Sequence, residues 1–185
     1  GYGCYALSVS GHGGSPGREH LDSFGLDHYV SDVAAVVEQL PAPPVLVGHS
    51  IGGMVAQKYL ESHEAAGLVL LASVPPQGLW AAALGLAFQK PGVMSDLNSL
   101  LGGGRVALDT LRSAMFAQPV TTEDLARWYK RMQPESHRAI WDMTLFNLPR
   151  LGRMELPPLL VLGAAHDHLI PASQVEMTAR SYGVT

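Results

Sequence analysis

Residues 44–54 read Pro-Val-Leu-Val-Gly-His-Ser-Ile-Gly-Gly-Met: an apolar strand, a sharp turn, and the first residues of an amphipathic helix. A serine at the centre of such a Gly-x-Ser-x-Gly turn is held in a strained backbone conformation that pushes its hydroxyl out past the end of a sheet. There a base can take its proton, and the N–H of the following residue faces the oxyanion that develops during attack on a carbonyl. Gly48 and Gly52 are expected to be glycine because a side chain at either position would collide with the adjoining strand or helix. Ser50 is the candidate nucleophile, and the Ile51 N–H the candidate oxyanion donor.

The same five-residue pattern occurs a second time, at Gly13-Gly14-Ser15-Pro16-Gly17. Physical chemistry separates the two. Pro16 has no N–H to offer an oxyanion. Ser15 also follows a glycine-rich loop rather than a strand, and no helical pattern begins behind it. Behind Ser50, by contrast, Ile51, Met54, Val55 and Tyr59 fall at i, i+3, i+4 and i+8, one face of a helix. Ser15 therefore reads as a loop serine.

Around this turn the chain alternates apolar runs with helical patterns. Tyr2–Val9 reads as a short strand leading into the loop at 10–17. Tyr29, Val33, Val36, Val37 and Leu40 predict a helix that stops at Pro41. Val45–Val47 and Gly67–Ala72 read as buried strands. Continuous apolar strands between helices predict an α/β fold, a mostly parallel sheet with helices on both faces. From Pro75 to about Glu155 the strand rhythm disappears. Only helical patterns remain, such as the capping-box-like Thr121-Thr-Glu-Asp124 followed by Leu125, Trp128 and Met132. Strand character resumes at 157–163. Three units follow: 1–74 as the first part of the core, 75–155 as an all-helical lid insertion, and 156–185 as the second part of the core.

At 185 residues with 47% apolar content, a single domain with its own core is expected. A net charge of −4 without basic clusters gives nucleic acid no reason to bind. The longest apolar run, Leu79–Phe88, is too short to span a bilayer. Cys4 is the single cysteine, which excludes an internal disulfide and points to a reducing, cytoplasmic setting. The sequence opens without a methionine, directly before an apolar run, and reads as a piece of something longer.

These segments together resemble the α/β-hydrolase family. Residues 1–15 look like its fourth strand and Gly-His-Gly loop, with Ser8 and Ser10 standing where aspartate and arginine are common. Val-Leu-Val-Gly-His-Ser-Ile-Gly-Gly (45–53) is similar to the family's nucleophile elbow. Leu-Leu-Val-Leu-Gly-Ala-Ala-His-Asp-His-Leu-Ile-Pro (159–171) resembles its seventh strand and acid loop. The resemblance implies that Asp167 is the triad acid, holding the tautomer of a histidine and stabilising its imidazolium. Some relatives carry the acid after the sixth strand, but Ala72-Ser73-Val74 has no carboxylate. A plainer role for Asp167 is that of a loop aspartate capping the helix that begins near Pro171, although that helix lies too far along for Asp167 itself to be its cap.

None of the eight histidines fits the family's base, which lies on a loop after an eighth strand. His166 and His168 are tied to the acid's own loop. His49 adjoins the nucleophile and is expected to point into packing. His12 belongs to the Gly-His-Gly loop, and His20, His28, His63 and His137 read as surface or helix-end residues. The expectation is therefore a central fragment of a longer protein. The base would lie beyond residue 185, and the strands carrying the second oxyanion donor would lie in front. Without the neighbouring strand in front, Tyr2–Val9 would lose its partner.

The implied activity is that of a serine hydrolase acting on carboxylic esters by acyl transfer, inactive as this fragment alone. Neither cofactor nor metal is expected, and the substrate would be a small ester with an apolar group. The tryptophan-containing lid (Trp80, Phe88, Trp128, Trp141) suits such a substrate, although aromatics at helical spacing are expected mainly to form the lid's own core. Two alternatives share the elbow: a C–C hydrolase or perhydrolase, and a non-catalytic module that binds a ligand or partner.

Overall fold

The computed structural model describes residues 2–80, 106–167 and 169–184, with 83, 84, 95, 99, 102 and 104 as isolated positions between the first two stretches. Phe88 and His168 lie outside the described residues.

A short 3-10 segment, Arg18–Ser23, precedes helix α1 (Leu26–Val37). Strand β1 (Val45–His49) runs into helix α2 (Ile51–Tyr59), and strand β2 (Gly67–Leu71) follows. Between β2 and the next strand come α3 (Leu108–Met115), α4 (Thr122–Tyr129) and α5 (His137–Trp141). Helix α5 continues into a π turn at Asp142–Phe146. Strand β3 (Leu159–Leu162) and helix α6 (Ala172–Ser181) complete the order.

The three strands form one parallel sheet in the order β1-β2-β3. Val47 lies opposite Val69, and Val69 opposite Leu160. Because side chains alternate along a strand, this register sorts the sheet into two faces. Leu46, Gly48, Leu68, Leu70, Leu159 and Val161 face the helices and are buried or half-buried. Val45, Val47, His49, Leu160 and Leu162 face the other way and are exposed, Val45 at 58% and Val47 at 64%. The parallel sheet expected from the apolar runs is present, but among the described residues its helices pack on one face.

Two clusters make up the core on that face. Ala56, Tyr59, Leu60, Leu68, Leu70 and Tyr182 lie between α2, the sheet and the end of α6. Leu26, Tyr29, Met54, Val55, Val74, Ala139 and Met143 join α1 and α2 to α5 and its π turn. A side-chain cap strengthens this second junction, since Asp142 Oδ2 accepts the Leu26 N–H at 3.0 Å at the start of α1. A carboxylate at a helix N-terminus satisfies an orphan donor and complements the helix dipole. Lys58 is nearly buried between Glu61 (3.2 Å) and Asp27 (3.6 Å), tying α2 back to the first turn of α1.

The Tyr2–Val9 strand is corrected. That segment has no ladder partner and most of it is exposed. An extended segment without a neighbouring strand has no acceptors for its N–H groups, and the sheet stops at β1. Its last residues are held instead by the loop, with His12 N–H donating to Val9 O and Ser15 Oγ to Ser8 O. The Thr121 start is found as expected: its hydroxyl accepts the Asp124 N–H at 3.1 Å at the head of α4. The expectation that the tryptophans build a core fails for the described ones. Trp80, Trp128 and Trp141 are all exposed, Trp141 at 59%.

Candidate active site

Ser50 sits between the last residue of β1 and the first of α2, with φ 51° and ψ −121°. Among the described residues only Ser50 and Ala72 combine a side chain with positive φ. Such a conformation costs about 1–3 kcal/mol and persists only where the surroundings over-determine it. At Ser50 they do. Its N–H donates to Leu71 O at 3.1 Å, extending the β1–β2 ladder by one bond, and its carbonyl accepts from Gly53 N (3.0 Å) and Val74 N (3.2 Å). Ala72 is fixed in turn by donating to Leu162 O at 2.8 Å. Each strand end thus holds the next, and the serine lies half-buried at the rim. Ile51, as the first residue of α2, has no preceding helical carbonyl for its N–H.

The glycines act differently from expectation at one position. A Cβ on Gly48 would lie 2.5 Å from Gly52 O and 2.6 Å from Gly53 Cα, so helix α2 rests directly on the strand there. At Gly52 a Cβ would meet nothing within 4 Å, which corrects the predicted clash. The second steric requirement falls on Gly53, where a Cβ would lie within 2.5 Å of the Ser73 side chain. Periodicity along α2 gave no sign of this, because Gly53 lies opposite the Ile51, Met54, Val55 and Tyr59 face and every residue from Gly53 to Tyr59 is buried.

Asp167 lies on the loop after β3, half-buried. Its Oδ1 accepts the Leu169 N–H at 2.8 Å and the Ile170 N–H at 2.9 Å. These donors precede α6, so the carboxylate clamps its own loop rather than capping the helix. β1 and β3 are separated by β2, two strand spacings or about 10 Å, and Ser50 and Asp167 both follow the carboxyl ends of their strands. That rim is where open parallel sheets bind ligands.

The histidines divide as follows. His12 is half-buried, its Nδ1 3.2 Å from Ser10 O, its Nε2 3.4 Å from Glu135 Oε1 and its ring edge-on to Tyr29. His49 lies exposed on the open sheet face, not in packing as expected, because no described helix covers that face. His20, His28, His63 and His137 are exposed, and the His137 backbone N–H (2.8 Å) together with its ring Nδ1 (3.0 Å) on Asp22 Oδ1 holds the Asp22 carboxyl below its usual range. His166 is exposed beside Asp167. Among the described residues no histidine is hydrogen-bonded to Ser50, and no three His, Cys, Asp or Glu side chains converge to hold a metal ion. A surface groove lined by Arg18, His20, Asp22 and His137 lies at the seam with the segment before α5 and does not include Ser50.

One group at the site escaped the sequence reading. Gln57 on α2 is fully buried and bonded to Gly53, Ser73, Val74 and Tyr182. No local pattern signalled it, because Gln57 lies off the Ile51, Met54, Val55 and Tyr59 face and α2 is buried all round from Gly53 to Tyr59.

A three-strand parallel sheet with a positive-φ serine at a sharp strand–helix turn, and an aspartate beyond a neighbouring strand, defines the class as an α/β fold. The chain belongs to the alpha/beta hydrolase family, whose model matches residues 1–185. Its structure is similar to that of an extracellular alpha/beta-hydrolase from a Paenibacillus species (TM-score 0.69, 18% identity, 97% of this chain and 74% of that one). It also resembles polyneuridine aldehyde esterase (TM-score 0.66, 18% identity, 97% and 75%). A third likeness is to a methylesterase from Arabidopsis (TM-score 0.65, 20% identity, 97% and 73%). No curated protein matches the chain significantly. Among the described residues no helix is long and apolar enough to cross a membrane.

Proposed function

We propose that this chain carries the nucleophile and the acid of a serine hydrolase that cleaves carboxylic esters. The observation that carries the reading is the backbone of Ser50, which is held at φ 51° between a strand and a helix N-terminus. A strained, half-buried hydroxyl at that place has little structural use and a clear chemical one. In the proposed mechanism a histidine outside residues 1–185 takes the Ser50 Oγ proton as the oxygen attacks the ester carbonyl. The Ile51 N–H stabilises the oxyanion, and the histidine then gives its proton to the departing alcohol. Water, activated by the same base, releases the acid and regenerates Ser50. Asp167 orients the histidine through Oδ2, the oxygen its own loop leaves free. The segment 75–155, in which Trp80 and Trp141 are exposed, serves as a lid that favours an apolar acyl or alcohol group.

The non-catalytic alternative draws support from one observation, the lack of a histidine bonded to Ser50 among the described residues. A fluorophosphonate probe applied to the full-length protein distinguishes the two. Covalent labelling of the Ser50 peptide, lost in Ser50→Ala, is expected together with ester turnover. An intact protein that neither labels at Ser50 nor turns over any short-chain ester leaves the binding-module reading standing.

A further inference from the structure

We infer that Gln57 is a positioning residue that sets the geometry of the Ser50 turn through the loop after β2. The inference rests on the reading of Ser50 as nucleophile. Gln57 is 0% exposed, one and a half turns into α2. Its Nε2 lies 2.9 Å from Val74 O, 3.0 Å from Ser73 Oγ and 3.1 Å from Gly53 O. Its Oε1 accepts the Tyr182 hydroxyl proton at 2.7 Å. Two carbonyls beside Nε2 leave one sensible orientation for the amide, since the reverse would set oxygen against oxygen.

The consequence lies one bond further on. Val74, whose carbonyl is held by Gln57, gives its own N–H to the carbonyl of Ser50 at 3.2 Å. A continuous chain therefore runs from Tyr182 at the end of α6 through Gln57 and Val74 to the backbone of the serine. The intervening loop contains Ala72, the other strained residue, at φ 39°. Ser73 closes the node by donating to Val74 O at 2.9 Å. Gln57 touches no reacting atom. It fixes where the Ser50 carbonyl sits, and so the direction in which Oγ and the Ile51 N–H point. A buried amide that only filled space would be better replaced by leucine or methionine, because burying polar atoms costs free energy unless each finds a partner.

The test uses the full-length protein and three variants. Gln57→Met keeps the volume and removes the tether, leaving the Tyr182 hydroxyl only its weak contact with Met154 Sδ at 4.0 Å. Gln57→Met with Tyr182→Phe removes that hydroxyl as well. Expected for Gln57→Met are a lowered Tm, Val74 amide exchange faster by about tenfold, and fluorophosphonate labelling of Ser50 slower by about tenfold or more at a temperature well below Tm. Adding Tyr182→Phe should recover much of the Tm but not the labelling rate. Labelling that recovers along with Tm, or is never slowed, makes Gln57 a structural residue and overturns the inference. Should Gln57→Met not fold, Tyr182→Phe alone is expected to slow labelling about two- to threefold and to quicken Val74 exchange. No change in either would be equally fatal. If the wild type shows no Ser50 labelling at all, the hydrolase reading has failed. The Val74 exchange then decides the tether separately, with unchanged exchange in Gln57→Met refuting it.

Discussion

Gly48 and Gly53 meet backbone to backbone, and a Cβ on Gly48 would stand 2.6 Å from Gly53 Cα. That contact seats α2 on β1 and sets the angle at which Ser50 leaves the sheet. Because a real Cβ essentially never comes so close, Gly48→Ala must push the helix away, at a cost of about 1–3 kcal/mol or more. Gly52→Ala meets open space in the first turn of α2 and should be neutral or slightly stabilising. Chemical denaturation of the three alanine variants at 48, 52 and 53 checks this. Equal losses at 52 and 48 would contradict the packing described.

Asp167 offers a clean separation of charge from structure. Its Oδ1 accepts two backbone N–H bonds from Leu169 and Ile170, and an asparagine carbonyl can do the same. Under the proposed mechanism, Asp167→Asn should therefore keep the loop and the Tm while lowering kcat by about 10⁴-fold, as expected when a triad loses the group that fixes its histidine. A loss of less than about tenfold in the full-length enzyme would move the acid elsewhere.

The Lys58 pairs should be unequal. Glu61 is 14% exposed and also accepts the Arg150 N–H, whereas Asp27 is 75% exposed. Replacing Glu61 by alanine leaves a nearly buried ammonium short of a partner and should cost about 3 kcal/mol. Asp27→Asn should stay within about 0.5 kcal/mol. Paired urea titrations measure the difference, and a larger loss for Asp27 would reverse the assignment.

Two buried phenols predict alkaline sensitivity. Desolvation, with Glu135 hydrogen-bonded to Tyr29 and Glu61 near Tyr182, holds both hydroxyls well above their ordinary value of 10.0. In the unfolded chain these groups ionise near that value, while the folded chain keeps its protons. The folded state then binds more protons, and stability falls as pH rises through 10 and beyond. Tm measured from about pH 8 to pH 11 should drop in the wild type. The drop should be shallower in Tyr29→Phe and Tyr182→Phe, each compared with its own value at pH 8. Parallel curves would show that the phenols are not the cause.

Local rules carried far along this chain. A Gly-x-Ser-x-Gly turn bounded by an apolar strand and an i, i+3, i+4 face marked the Ser50 junction, and Pro16 excluded the second match. The strands at 45–49, 67–71 and 159–162 were legible because parallel strands characteristically read as continuous apolar runs. The cap at Thr121 was legible because it is a contact between residues three apart. Tyr2–Val9 misled for the opposite reason: β-propensity describes a residue's fitness for a sheet, and only a neighbouring strand makes a strand of it.

What the sequence determined by itself, then, is the three strands, the helices around 29–40, after Ser50 and after Thr121, and the strained turn, since all depend on neighbours a few residues apart. Tertiary structure alone decided which glycine must be glycine, since the clash at Gly53 comes from Ser73, twenty residues away along the chain. It also decided that, among the described residues, the sheet's helices pack on one face, because that depends on long-range contacts. And it brought Gln57 to Tyr182 and Val74, separations of 125 and 17 residues that no local period encodes. A buried polar side chain reveals its purpose only when its partners are assembled around it.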